Sequence, residues 1–202
     1  MDAHIVARLY REGVEAIVTT AARFDDTTWT RPACGSWDAA ATARHVLAVA
    51  RWYDQWLDRA LVGDVSLPFP ASVIDDRNDD NVTALHGIDG PTAIATFERA
   101  AIAYLDRALD HWGVPYAYPF GVATDGLHLG VAATEWHLHA FDLAAAHGGS
   151  YEPRDASALF RAAGLGVAQT KPALQRAVLR LLVPAGARFR PWPTILGQSG
   201  RA

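Results

Sequence analysis

Cysteine, lysine and long apolar runs are nearly absent from this chain of 202 residues. Its one cysteine, Cys34, excludes an intrachain disulfide framework and a cysteine-rich zinc motif, and it suits a reducing cytoplasm. No stretch approaches the roughly 18 uncharged apolar residues of a membrane helix, and the N-terminus lacks the basic segment and apolar run of a signal peptide. We therefore expect a cytoplasmic protein that does not bind membranes.

The charge and composition point to an ordinary globular domain. The formal net charge is −4, and half of the residues are apolar. A nucleic-acid-binding protein normally carries a basic surface, so we expect no nucleic-acid partner. Seventeen of the 18 basic residues are arginine and 39 residues are alanine, a bias typical of a GC-rich genome.

Four amphipathic segments carry apolar residues at helical spacing. They run from Ala3 to Phe24, from the predicted N-cap Asp38 to Leu61, from Thr92 to Trp112 and from Leu127 to Ala146. Because no strand pattern is convincing, they predict an all-α fold, a four-helix bundle over residues 1–150. Residues 151–202 are expected to form a short helical C-terminal extension, with helices from Ala156 and from Pro172 to Leu182 before an irregular tail. A long connection with room for one short helix spans Gly63 to Gly90.

Two helices of this bundle carry residues that suit a metal. His45 shares an apolar stripe with Val49 and Trp56, so it should face inward. Glu135 and His139 are four residues apart and reach the same point. Two imidazoles and one carboxylate form a divalent-metal site with an open position.

Simpler roles remain open for each of these residues. A lone inward histidine such as His45 is more often hydrogen-bonded in a core. Glu135 and His139 also suit an ordinary helix-surface pair. Asp142 either orients the imidazole of His139 from behind or caps a surface turn.

The remaining histidines and the cysteine show weaker signals. His137 points away from Glu135 and His139, and His111 and His147 lie near helix C-termini, where a charged imidazole is favourable. Cys34 lies in a turn with no neighbouring base in sequence, which argues against a catalytic thiol. No catalytic residue is assigned from the sequence.

Three stretches together resemble a known family. They are WTRPACGSWDAAATARHV (residues 29–46), PFG (residues 119–121) and TEWHLHAFDLA (residues 134–144). They are similar, in order and spacing, to motifs of the mycothiol-dependent maleylpyruvate isomerase N-terminal domain, part of the wider DinB/YfiT-like superfamily.

This resemblance implies a bundle holding one divalent metal, usually zinc, on His45, Glu135 and His139. It also implies mycothiol, a low-molecular-weight thiol of actinobacteria, as cosubstrate, and thiol transfer to or isomerisation of a small electrophile. A metal favours the nucleophilic thiolate over the thiol. Trp52 or the connection from Gly63 to Gly90 is expected to shape the acceptor pocket.

The resemblance leaves several functions open. Since the full isomerase carries a larger C-terminal domain, thiol transfer is expected here ahead of maleylpyruvate isomerisation. A non-catalytic ligand-binding or dimerisation bundle is the alternative, and a metal hydrolase with an activated water is a third. A homodimer through an exposed bundle face is also expected.

Overall fold

Seven helices account for most of the computed structural model, which describes residues 2–169 and 191–201. They are α1 (Ala3–Ala21), α2 (Ala39–Leu61), α3 (Ile74–Ala84), α4 (Gly90–Asp110), α5 (Asp125–Ala146), α6 (Ala156–Gln169) and α7 (Pro191–Gln198). The helix predicted from Pro172 to Leu182 lies outside the described residues. Among those described, no helix has the length and apolar character needed to cross a bilayer.

Capping aspartates explain where three of the long helices begin. The carboxylate of Asp38 accepts from the backbone N–H of Ala41 at 2.7 Å, and that of Asp89 accepts from Thr92 at 2.7 Å. Asp2 does the same at the start of α1. Each satisfies a backbone donor that the first helical turn leaves unpaired. The N-cap predicted at Asp38 is confirmed.

The four long helices form the predicted all-α bundle. Helix α1 packs along α5 and α2 packs along α4, with α1 also against α4. The connection from α2 to α4 is the long one, and it contains the expected short helix, α3. Helix α6 also packs along α5, and α7 packs on α6.

Two small hairpins and the last helix depart from the prediction. Strands β1 (Pro32–Cys34) and β2 (Trp37–Asp38) pair antiparallel before α2, and β3 (Pro115–Tyr118) and β4 (Gly121–Thr124) pair before α5. Strands of two to four residues are too short to show an alternating pattern. The tail predicted as irregular contains α7, because Trp192 and Ile195 bury their side chains against the core.

Small residues let α5 lie at the centre of the packing. A Cβ at Gly13 of α1 would stand 2.8 Å from the Cβ of Trp136, and one at Gly130 would stand 2.7 Å from the backbone oxygen of Ala162. Both distances are shorter than a side chain tolerates. The two glycines therefore allow α1 and α6 to approach α5 closely.

Candidate functional site

One cavity of about 420 Å³ collects most of the residues singled out in the sequence. It lies between the turn that joins β1 to β2, the N-terminal half of α2, helix α3 and the C-terminal half of α5. Its lining includes residues 34–37, His45, three polar residues of α3, Glu135, His139 and Arg201. Segments that are distant in sequence therefore line the same cavity.

The two predicted histidine ligands meet inside this cavity. Their ring centroids are 4.8 Å apart at an interplanar angle of 71°, and His45 and His139 are only 6% and 3% exposed. The indole of Trp37 covers His45 from the other side, with centroids 4.7 Å apart. Within the described residues, Nδ1 of His45 is buried and has no hydrogen-bond partner. A buried polar nitrogen without a partner is costly unless something else satisfies it.

Glu135 completes the predicted set from one helical turn before His139. Its Oε2 lies 3.9 Å from Nε2 of His139, and 40% of its side chain is exposed. That separation is too long for a hydrogen bond. The carboxylate and the imidazole therefore face each other across a gap.

Asp142 holds His139 from behind. Its Oδ2 lies 3.0 Å from Nδ1 of His139, and both of its oxygens accept from Arg201, at 2.8 Å from Nε and 2.8 Å from Nη2. The carboxylate is 4% exposed. A hydrogen bond from a carboxylate to the outer nitrogen of a histidine is a common support of metal-ligating histidines.

The pKa values of His45 and His139 are shifted in opposite directions. Burial, and then the positive charges of His139 and Arg201, hold the pKa of His45 well below its ordinary value. Burial also opposes the charged form of His139, but its hydrogen bond to Asp142 and the proximity of Cys34 outweigh burial and raise its pKa to about 9. Burial would raise the pKa of Asp142, yet the bonds from His139 and Arg201 lower it to about 2. His45 is therefore neutral, with a free lone pair.

Cys34 is placed differently from the sequence expectation. The sequence shows no base near it, whereas the fold brings its Sγ within 4.8 Å of a ring nitrogen of His139 and 3.5 Å from Nη2 of Arg201. Cys34 and Arg201 are 167 positions apart. No local pattern signals such a contact, and sequence reasoning missed Arg201 altogether.

Helix α3 forms the outer wall of the cavity. Asp75, Asn78 and Asp79 line it, and Oδ1 of Asp79 accepts from Nε1 of Trp37 at 2.9 Å. The connection from Gly63 to Gly90 thus contributes to the pocket through α3. Trp52 lies apart from the residues that line the cavity: among the described residues its indole stacks on Trp56, with centroids 5.6 Å apart, and contacts Phe69.

Comparisons with known proteins support the fold. No protein-family model and no curated protein matches the sequence. Two solved structures match: a mycothiol-dependent maleylpyruvate isomerase, with a TM-score of 0.61 and 16% identity, and a variant of that enzyme with a histidine replaced by alanine, with a TM-score of 0.63 and 15% identity. Each match covers 81% of this chain and 68% of the other. At this identity the likeness establishes a shared fold.

The donor atoms in the cavity fit a divalent metal. Two imidazoles and a carboxylate are a ligand set for zinc and related cations, and Nδ1 of His45 is buried without a hydrogen-bond partner among the described residues. Among the described residues, the group whose ligand atoms all lie within 4.8 Å of one another is Cys34, His139 and Asp142, and the predicted set of His45, Glu135 and His139 does not meet that spacing. Asp142 is less suited to bind a metal, because Arg201 and His139 already occupy its oxygens.

The other buried histidines have structural partners. His137 contacts the backbone oxygen of Leu9 through Nε2 at 3.0 Å and the hydroxyl of Tyr151 through Nδ1. Nδ1 of His128 lies 3.0 Å from the hydroxyl of Tyr104. The sequence did not identify these partners, since each lies on another helix or loop.

Proposed function

We propose that this chain is a metal-dependent enzyme that uses a low-molecular-weight thiol, mycothiol or a close analogue, to modify a small electrophile by thiol transfer or isomerisation. The observation that carries this proposal is the convergence of His45, Glu135 and His139 on one cavity, with Nδ1 of His45 buried and unpartnered among the described residues. The fold shared with a mycothiol-dependent isomerase supports it.

The metal, which we propose is zinc, would be held by His45, Glu135 and His139. When bound, it would favour the thiolate form of a small thiol. A set of three protein ligands leaves a position open for that sulfur.

The surrounding residues orient the ligands. Asp142 bonds Nδ1 of His139, which leaves Nε2 directed towards Glu135 and the cavity. Arg201 neutralises Asp142 with two hydrogen bonds, so the buried carboxylate stays charged and fixed. Trp37 packs against His45 and limits the rotation of its ring.

Helix α3 would contact the acceptor substrate. The cavity volume of about 420 Å³ suits a small molecule together with part of a thiol. Asp75, Asn78 and Asp79 offer hydrogen-bond acceptors and one amide on that wall. We propose that they, rather than apolar groups, select the acceptor.

Metal analysis tests the first half of the proposal. Wild type purified without chelators should contain close to one equivalent of zinc or another divalent cation, and His45→Ala should contain little. His86→Ala is the matched control, because His86 is exposed and, among the described residues, its side chain bonds Thr83 of its own turn. Wild type without stoichiometric metal would favour the non-catalytic bundle and overturn the proposal.

Kinetics test the second half. Consumption of an electrophile, such as an aryl halide or an α,β-unsaturated carbonyl compound, should depend on added mycothiol and fall to background in His45→Ala. A rate that does not change when the thiol is omitted would contradict thiol dependence and would indicate hydrolysis instead.

A further inference from the structure

Cys34 brings a sulfur donor to the same cavity. It is the last residue of β1, it is half-buried, and it lines the cavity beside His45 and His139. Its Sγ lies within 4.8 Å of the ligand atoms of His139 and Asp142. Nη2 of Arg201 lies 3.5 Å from the same Sγ.

His45 provides independent support for a ligand at this point. Its side chain faces the same cavity, its residue is 6% exposed, and its Nδ1 has no hydrogen-bond partner within the described residues. The ring of His139 lies 4.8 Å from it. A buried unpartnered nitrogen, a second imidazole and a sulfur around one cavity are the donors of a thiophilic cation site.

Asp142 is removed from this donor set by its own contacts. Both of its oxygens accept from Arg201, and one of them also bonds His139. Replacing those bonds with a metal would leave the half-buried Arg201 beside Cys34 without its carboxylate. Of the group Cys34, His139 and Asp142, the donors left for a metal are therefore the sulfur and Nε2 of His139.

We propose that Cys34 is a fourth protein ligand of the cation, alongside His45, Glu135 and His139, in the enzyme without its thiol cosubstrate. This proposal rests on the proposed function for the presence of a cation. Zinc-like ions bind four ligands of this kind in tetrahedral sites. Cys34 then occupies the position that the sulfur of the small thiol needs, and the site prefers zinc, cobalt or cadmium to magnesium or manganese.

Cobalt spectroscopy tests the proposal. Metal-free protein is reconstituted with Co²⁺ alone, and its visible and near-ultraviolet spectra are recorded. Visible d–d absorption reports cation bound by the protein, and a thiolate-to-cobalt charge-transfer band in the near-ultraviolet reports sulfur coordination. The chain has one cysteine, so this band can come only from Cys34. We expect both features in wild type.

Variants of Cys34 separate the binding of a cation from the coordination of that cation by the sulfur. Cys34→Ser and Cys34→Ala should keep the d–d absorption and lose the charge-transfer band, and a small monothiol added to Cys34→Ser should restore it. Wild type with d–d absorption but without the charge-transfer band would overturn this proposal and leave the proposed function intact. Wild type with neither feature would overturn both this proposal and the proposed function. Failure of the monothiol to restore the band would refute the claim that Cys34 and the small thiol occupy the same coordination position.

Discussion

Two histidines on α5 show how two positions along a helix change a residue's role. His139 faces the cavity, the ring of His45 and Asp142. His137 is rotated to the opposite side, where it bonds Leu9 and Tyr151. Burial, only partly offset by the bond to the Leu9 carbonyl, lowers its pKa to about 4. The direction of each ring follows from 100° of rotation per residue.

Substituting these two histidines should therefore give opposite results for metal binding. His139→Gln should lose the bound metal, and it should also lower the unfolding free energy because it breaks the buried bond to Asp142. His137→Gln should keep the metal and lose about 1–3 kcal/mol of unfolding free energy, because it breaks buried hydrogen bonds. Metal content and urea unfolding of both variants check this. Metal loss in His137→Gln alone would refute the assignment.

A buried carboxyl group makes stability depend on pH. Asp125 accepts from the hydroxyl of Tyr104 at 2.9 Å, and within the described residues its Oδ2 is buried without a partner. Burial, partly offset by the bond from Tyr104 and the charge of Arg107, raises its pKa from 3.8 to about 7. The folded value lies above the unfolded one, so its stabilising effect is full below 3.8 and is lost as pH rises through 7.

We expect Asp125→Asn to remove this dependence. The unfolding free energy of wild type minus that of Asp125→Asn should decrease by about 4 kcal/mol as pH rises from about 4 to about 7. Burial lowers the pKa of His128 to about 3, so its contribution to stability grows as pH rises. Subtracting the two proteins removes this contribution, because both contain His128. Urea unfolding across that range measures the difference, and parallel curves would contradict the prediction.

At the scale of elements, close packing of α5 depends on small residues. Gly130 has no room for a Cβ, which would lie 2.7 Å from the backbone oxygen of Ala162 on α6. Backbone atoms of a packed helix cannot move aside cheaply. An alanine normally stabilises a helix relative to glycine. At this position we expect the opposite, because the added Cβ has no room.

Gly130→Ala should lower the unfolding free energy by about 1–3 kcal/mol through overpacking. Gly87→Ala is the matched control, because a Cβ there meets nothing within 4 Å, and it should be neutral or stabilising by up to about 1 kcal/mol. Thermal unfolding of both variants checks the pair. Equal unfolding temperatures for Gly130→Ala and Gly87→Ala would show that α5 and α6 leave room for a Cβ at position 130.

The start of a helix can be predicted from nearby residues, whereas the hairpins of this fold cannot. The start of α2 follows from the side chain of Asp38, since a cap acts within three residues. The pairing of β3 with β4, with Tyr116 opposite Ala123, leaves no comparable pattern. Its residues are held by burial of Tyr116 and Tyr118 against the bundle, which only the assembled fold provides.

At the scale of the whole molecule, the far end of the chain supports the site. Arg201 follows α7 and binds Asp142, 59 positions earlier, through two hydrogen bonds of 2.8 Å. A planar guanidinium matches a carboxylate in this two-bond geometry better than an ammonium does. The orientation of His139 therefore depends on the docking of the C-terminal segment.

Arg201→Lys should weaken metal binding less than Arg201→Ala, which should reduce affinity about 10–100-fold through its effect on Asp142 and His139. Arg99→Ala is the control, since Arg99 is exposed and, in the part of the chain that the structure describes, its side chain bonds Thr96 of its own helix. Competitive metal titration checks the order. Wild-type affinity in Arg201→Ala would contradict a positioning role for this residue.

The sequence by itself determined the features that depend on near neighbours: the helical period, the cap at Asp38, and the shared face of Glu135 and His139. These follow because helix geometry and capping act over three or four residues. Only the tertiary structure decided that Cys34, Asp142 and Arg201 surround His139 and that α3 closes the cavity. Those contacts join residues up to 167 positions apart, and their placement follows from how the helices bury their apolar faces against one another.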